Sequence, residues 1–334
     1  MHPVDALNEI AELLEGSLAS SYKTKAFRRA AEAIASLSEE EIAERIADGR
    51  LKRTKGIGDT TYAVIEQAAE GRVPDYLAEL RSHATPVERT GLRARLRGDL
   101  HAHTDWSDGT TSAEAMAHAA QRFDLEYLAI TDHSPSLTIA NGLSAERLTD
   151  ELHLIADVNA RLSGLRLLTG IEVDILLDGA LDQTPKMLDR LDIVVASVHS
   201  KLRMDSREMT SRMLRAIENP RMNVLGHCTG RLVQGSRGTR PPSTFDARAV
   251  FAACAENDVA VEINSRPERQ DPPEDLIALA LDAGCLFSID SDSHAPGHLG
   301  FLDLGAARAE AAGIPPERII TTWSADRLLD WAGA

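Results

Sequence analysis

Between residues 96 and 291 the chain repeats one pattern seven times: a short apolar, β-rich run that ends in residues able to bind a metal or a proton. The runs cover 96–103, 127–133, 167–175, 193–199, 224–227, 259–264 and 286–291. Helical stretches separate them, for example 112–122, 144–162, 206–218, 245–256 and 273–283. Strands joined through helices run parallel, because the helix carries the chain back before the next strand begins. Seven such units in series predict a parallel sheet, and its closure gives a TIM-like barrel. All strand C-termini then open on one face, where the active sites of such barrels gather.

The polar residues fall at those ends. The first run carries Asp99, His101 and His103, and alternate residues of a strand point to the same side. A polar turn with Asp105 and Asp108 follows. The second ends in Thr131-Asp132-His133, and the third holds Glu172 and Asp174. The fourth ends in Ser197-Val198-His199 and the fifth in Gly226-His227. The sixth ends in Glu262-Ile263-Asn264, and the seventh runs through Asp290 and Asp292 to His294. A capping Asp or a satisfied buried His accounts for any one of these. It does not account for six of the eleven histidines at the strand ends of one barrel face. That coincidence predicts a multinuclear metal centre, histidine being the commonest metal ligand. The remaining His2, His83, His118, His153 and His298 fall in helices or loops and are expected at the surface.

A competing reading is a nucleophile elbow, Gly226-His227-Cys228-Thr229-Gly230. Such an elbow needs a helix directly after the nucleophile. Here a glycine- and arginine-rich loop follows, so Cys228 is not expected to be one. Arg231 and Arg237 in that loop read better as anion-binding side chains near the metals.

Charge is unevenly spread. The net of −16 divides into 15 Lys+Arg against 16 Asp+Glu in residues 1–98, and 21 against 36 in residues 99–334. An acidic body suits a cation site and excludes broad nonspecific binding to nucleic acid. The near-neutral N-terminal part is where a polyanion is tolerated. No apolar run approaches the roughly 20 residues of a membrane span. The first residues lack a signal-peptide pattern, and the three cysteines are unclustered. The expectation is a cytoplasmic protein with no membrane partner and no disulfide framework.

The first 83 residues read as a small helical domain. A helix over 3–14 turns Leu7, Ile10 and Leu14 inward, and a second over 22–37 does so with Phe27, Ala30, Ile34 and Leu37. Ser38 and Glu41 form a capping box for a third, which Gly49 ends. Then comes Lys52-Arg53-Thr54-Lys55-Gly56-Ile57-Gly58, followed by a helix with Tyr62, Ile65 and Ala69 as its apolar positions, and a short one over 75–82. Two glycines permit a tight turn that presents N–H groups at a helix start, a natural phosphate seat. Lys52, Arg53 and Lys55 stand beside Gly56 and Gly58; an ordinary glycine turn is the alternative. Residues 84–95 are expected as a linker, with the barrel domain from 96 to 334.

Asp99-x-His101-x-His103 with Ser107-Asp108-Gly109, Thr131-Asp132-His133, Gly170-x-Glu172, Ser197-Val198-His199, Gly226-His227 and Asp292-x-His294 resemble the ordered motifs of the PHP (polymerase and histidinol phosphatase) domain. Thr131–Pro135 running on to Asn141-Gly142-Leu143-Ser144, with Val261-Glu262-Ile263-Asn264, look most similar to that domain in bacterial family-X DNA polymerases. The first 82 residues similarly resemble the N-terminal helical domain of those polymerases, and the Gly56–Gly58 turn a helix-hairpin-helix motif, which grips a DNA backbone without reading sequence.

The resemblance implies a distorted seven-stranded (β/α)7 TIM-like PHP barrel behind a small all-α helix-hairpin-helix domain. It implies two or three divalent metal ions. His101, His103, Glu172 and Asp292 would hold one; Glu172, His199 and His227 a second, with Glu172 bridging; Asp108, His133 and His294 a third. Mixed imidazole and carboxylate ligands suit Mn²⁺, Zn²⁺ or Fe²⁺ better than Mg²⁺. The implied reaction is attack on phosphorus by a metal-bound water. Asp132 would orient an imidazole from behind, and Lys201, Arg203 and Arg231 are candidate phosphate contacts. The expected substrate is a DNA end, cleaved as a phosphodiesterase or 3′-5′ exonuclease. The alternative is another phosphate ester, hydrolysed by a small-molecule phosphomonoesterase of histidinol-phosphatase type. Polymerase activity is not expected, because the linker has no room for a nucleotidyltransferase body. Nor is lyase activity: Val64 stands where that superfamily can carry a Schiff-base lysine, and residues 60–70 contain no lysine.

Overall fold

The computed structural model describes residues 1–83, 90–235 and 238–333. The chain divides into two compact units, residues 1–88 and 89–334. Most of the expected linker, 84–89, lies outside the described residues. In the remainder, Leu92 is buried and the Arg93 guanidinium meets Asp303 at 2.8 Å within the second unit.

The first unit is five helices: α1 (Pro3–Gly16), α2 (Ser21–Ile34), α3 (Glu39–Ala47), α4 (Asp59–Ala69) and α5 (Asp75–His83). Leu7, Ile10, Leu14, Phe27, Ala30 and Ile34 form its core, with Ile42, Leu51 and Ile65. The capping box forms: Ser38 Oγ accepts from the Glu41 N–H at 3.2 Å, and Glu41 accepts from the Ser38 N–H at 2.9 Å. One face differs from expectation. α4 buries Val64, Ile65 and Ala68 and leaves Ala69 exposed. Tyr62 stays half-buried because its hydroxyl donates to Glu66 at 3.1 Å and Lys52 sits over its ring.

The second unit holds seven parallel strands in sequence order: β1 (Gly98–Ala102), β2 (Tyr127–Ile130), β3 (Arg166–Asp174), β4 (Ile193–Ser197), β5 (Val224–Leu225), β6 (Ala260–Asn264) and β7 (Phe287–Asp290). Helices α6 (Ala113–Arg122), α7 (Ala145–Asn159), α8 (Pro185–Leu188), α9 (Ser206–Ile217), α10 (Ala247–Glu256), α11 (Glu274–Asp282), α12 (Leu302–Ala311) and α13 (Ala325–Ala332) accompany them. The barrel is nearly closed. β1 and β7 meet through an isolated bridge, Ala102 to Ser293, and through Leu100 N–H donating to Asp290 at 2.8 Å.

Strand periodicity aims the polar residues. Leu168, Ile193, Val195 and Ala260 belong to the inner cluster, whereas Ile171, Val173, Val194, Ala196, Val261 and Ile263 pack outward. Counting by twos from the inner set puts Glu172, Ser197, His199, Glu262 and Asn264 on the inward face. β1 departs from strict alternation: Leu100 packs inward and Ala102 outward, and the β1–β2 register shifts between Asp99 and Ala102. That bulge leaves His101 and His103 both facing inward, the kind of re-aiming for which bulges recur beside active sites. At the other end the barrel is plugged by Ile320, Trp323, Leu328 and Ala332.

Candidate metal centre

The inward residues converge above the core. Glu172 is buried, and its two oxygens face different imidazoles. Oε1 lies 2.9 Å from His227 Nε2 and 3.3 Å from His199 Nε2. Oε2 lies 3.3 Å from His101 Nε2, 3.6 Å from His103 Nε2 and 2.8 Å from His133 Nδ1. Asp292 Oδ1 sits 3.7 Å from His103 and 3.5 Å from His294. Asp108 reaches His133 at 3.5 Å and His294 at 3.4 Å. All nine predicted ligands therefore come together.

Four overlapping groups bring one ligand atom from each member within 4.8 Å of the others. They are His103, Asp108, His133 and His294; His101, His103 and Asp292; His101, Glu172 and His227; and His133, Glu172 and His199. Ring nitrogens of His101, His103, His133, His199 and His227, with Glu172 Oε1, are buried without hydrogen-bond partners. Buried polar atoms are almost always satisfied. Orphaned imidazole nitrogens and a carboxylate aimed at a common centre are what divalent cations require, so the residues fit the implied metals.

The charges are set for ligation. Burial alone disfavours an ionised Glu172, but His101, His199 and His133 outweigh it and hold the carboxyl well below its usual range. Burial likewise opposes a charged Asp292, and Arg269, His101 and Arg266 overcome that. Burial, then His294 and His133, push His103 well below its ordinary value, which keeps a lone pair available.

Further residues hold the ligands in place, and of these Arg269 carries no sign in the sequence. His101 Nδ1 lies 2.6 Å from Glu262, and donation to that carboxylate turns Nε2 towards Glu172. Glu262 is legible as a strand end, but its partner lies 161 residues away in the sequence. Asp174 stands behind His199 Nδ1 at 3.4 Å. Asn264 and Arg269 both bond the outer oxygen of Asp292, at 3.1 and 3.0 Å. We expect Glu262→Ala to weaken metal affinity about 10–100-fold, the usual effect of losing such a partner. Calorimetric titration with Mn²⁺ checks this; unchanged affinity would remove Glu262 from the role.

Other expectations change. Asp132 bonds no imidazole: its oxygens accept from the Thr104 N–H at 2.8 Å and from the hydroxyls of Thr104 and Ser107. It therefore pins the loop that carries Asp108. Arg231 donates to the backbone carbonyls of Arg269 and Gln270, so it ties two loops together rather than facing substrate. Arg237 lies outside the described residues. Lys201 and Arg203 are exposed beyond His199. His298 is not a surface residue: it stacks on Phe301 and accepts from the His294 N–H at 3.2 Å. Cys228 is buried, and burial and Asp271 push its thiol well up, the opposite of an activated nucleophile. In the helical unit Lys52, Arg53, Lys55, Gly56 and Gly58 are all exposed. Gly56 has φ +96°, and the Gly58 N–H is taken by Thr61 Oγ1 at 2.9 Å.

The loop after His133 is held by close backbone packing. A Cβ at Gly142 would lie 1.9 Å from the Ser134 carbonyl oxygen, and the next N–H, of Leu143, donates to the His133 carbonyl at 2.7 Å. Gly142→Ala is expected to destabilise the barrel by about 2 kcal/mol or more through backbone displacement. Denaturant unfolding measures it; a loss below about 0.5 kcal/mol would contradict the packing.

A PHP-domain family model matches residues 99–266, and a helix-hairpin-helix domain model matches residues 1–73. The chain is 35% identical over 216 residues to the DNA polymerase/3′-5′ exonuclease PolX of Bacillus subtilis, a match that takes in 65% of this chain and 37% of that protein. The chain thus spans little more than a third of that relative. It is 30% identical over 249 residues to the probable phosphatase YcdX of Escherichia coli, covering 70% of this chain and 92% of YcdX. Among solved structures, the histidinol phosphate phosphatase of Lactococcus lactis superposes with a TM-score of 0.48 at 17% identity, over 66% of this chain and 95% of that one.

Proposed function

The chain belongs to the PHP-domain phosphoesterase family and carries a helix-hairpin-helix domain ahead of the barrel, and from that premise we propose that it hydrolyses phosphodiester bonds at DNA ends with two or three bound divalent ions, Mn²⁺, Zn²⁺ or Fe²⁺. The observation that carries the reading is Glu172, whose oxygens face His199 and His227 on one side and His101 and His103 on the other.

In this reading His101, His103, Glu172 and Asp292 hold one ion, Glu172, His199 and His227 a second, and Asp108, His133 and His294 a third. Bound together, such ions supply an activated water at neutral pH and neutralise charge on the phosphoryl group. The protein's part is positional. Glu262 fixes the proton of His101, and Arg269 with Asn264 keeps Asp292 ionised and oriented. Lys201 and Arg203 offer cations to substrate phosphate at the rim. The exposed Lys52, Arg53 and Lys55 beside Gly56 and Gly58 bind the DNA backbone, a contact that gives affinity without sequence preference.

The test is hydrolysis by Mn²⁺-loaded full-length protein of single- and double-stranded DNA ends, beside a phosphomonoester panel. Release of mononucleotides is expected. Clearance of monoesters with intact DNA would overturn the reading. It would favour the second one, a small-molecule phosphomonoesterase, which the near-complete coverage of YcdX supports. Charge reversal of Lys52 and Lys55 separates the two further. It should slow DNA hydrolysis and leave monoester hydrolysis alone.

A further inference from the structure

Between the chain segments that follow two of the ligand-bearing strands lies a cavity of about 590 Å³. Its walls are the loops after β3 and β4, with α9 behind: Leu177, Lys201, Met204, Arg207 and Arg215 line it. We infer that this cavity binds the phosphate and nucleoside next to the scissile bond, so that the enzyme grips its substrate at two consecutive phosphates. The inference rests on the phosphodiesterase reading.

The cavity is built rather than incidental. Buried Arg212 forms its floor and donates to the carbonyls of Ile175, Leu176 and Ser200, which locks the two loops together. Lys201 has a left-handed backbone, φ +54°, which a non-glycine residue seldom adopts. The charge is anomalous for its surroundings. With Arg212 committed to those carbonyls, Lys201, Arg207 and Arg215 face Asp178 and Glu208, in a region of the chain with 21 Lys+Arg against 36 Asp+Glu, and Arg215 also donates to the Asp178 carbonyl at 3.1 Å. Among the described residues neither Lys201 nor Arg207 has an ion-pair partner, so both are available to an anion.

Position selects the ligand. Lys201 follows His199 by two residues, a reach of about 7 Å at most along extended chain. Lys201 therefore stands on the same strand-end loop as the ligand His199. Exposed Leu177 and half-buried Met204 offer apolar surface to a sugar and base. A leaving group that carries an ammonium would be repelled. Farther along α9, Glu218 and Asp246 join Arg207 and Arg215 around the neighbouring groove.

The test is isothermal titration of the full-length protein, without divalent ion, with two ligands: the dinucleotide dTpdT and its 5′-phosphorylated form. A charge-assisted contact is worth about tenfold in affinity. The added phosphate should therefore tighten binding about tenfold in the wild type. In a Lys201→Gln, Arg207→Gln double variant, shown to be folded by its thermal transition, the gain should fall below twofold. No gain in the wild type, or an equal gain in the variant, would overturn the inference. Turnover of both dinucleotides with Mn²⁺ is recorded in parallel. Turnover without the phosphate gain removes the cavity and keeps the hydrolase; the gain without turnover keeps the phosphate site and removes the hydrolase.

Discussion

Glu172→Gln is expected to reduce hydrolysis by at least about 10³-fold while the fold survives. The amide is isosteric, so packing is retained, but it brings one neutral oxygen where the carboxylate brings two charged ones. Oε1 and Oε2 face His199 and His227, and His101 and His103, respectively. Loss of either oxygen breaks one coordination group, and loss of charge weakens both. Ion pairing with buried imidazoles is lost as well. Steady-state hydrolysis at saturating Mn²⁺, with circular dichroism to confirm folding, reads the effect. Activity within tenfold of wild type would show that Glu172 does not join the ions.

Arg269→Met should destabilise the metal-free protein by about 3–5 kcal/mol, the usual result of stranding one member of a buried pair. Arg269 is buried, its Nε bonds Asp292 at 3.0 Å, and burial of its charge is offset by Asp292, Glu172, Asp271 and Glu262. Without it several carboxylates share one low-dielectric space with too little positive charge. A bound cation restores that charge. The variant should therefore gain more stability from added Mn²⁺ than the wild type does, because linkage counts ions that bind only the folded state. Denaturant unfolding with and without Mn²⁺ tests both halves. Equal loss in both conditions would mean that Arg269 acts only through packing.

These two residues also mark what the sequence can and cannot disclose. Glu172 is legible because it stands at an inward position of a strand whose neighbours end in histidine, and period-two counting needs no tertiary knowledge. The same counting finds His199 and the barrel itself. Arg269 carries no such sign. It lies in a loop after β6, and its meaning depends on β7 delivering Asp292 beside it, 23 residues later in the chain. Glu262 is legible as a strand end, but its pairing with His101 is hidden for a like reason, since only closure of the barrel brings β6 and β1 to the same centre. His101 is a subtler case. Strict alternation from Leu100 would turn it outward, and the shift in register before Ala102 corrects this.

Elsewhere local signals misled. Tyr62 resembles a core residue by type, yet a hydroxyl with a surface partner keeps it at the boundary and rotates the buried face of α4 towards Val64 and Ala68. Arg231 sits in an arginine-rich loop that suggests anion binding, but the Arg269 and Gln270 carbonyls take its Nε and one terminal nitrogen. α13, by contrast, has a clear signal, a Ser324 N-cap and an apolar face of Leu328, Trp331 and Ala332, and that face plugs the barrel end.

The central claim is that strand ends from around the barrel assemble one multinuclear cation site. Metal analysis of full-length protein, reconstituted with Mn²⁺ and freed of loose ions by gel filtration, tests it most directly. The account predicts two to three equivalents per chain, falling to one or none in Glu172→Gln. A wild type that retains no ion, or a variant that retains as many as the wild type, would contradict it.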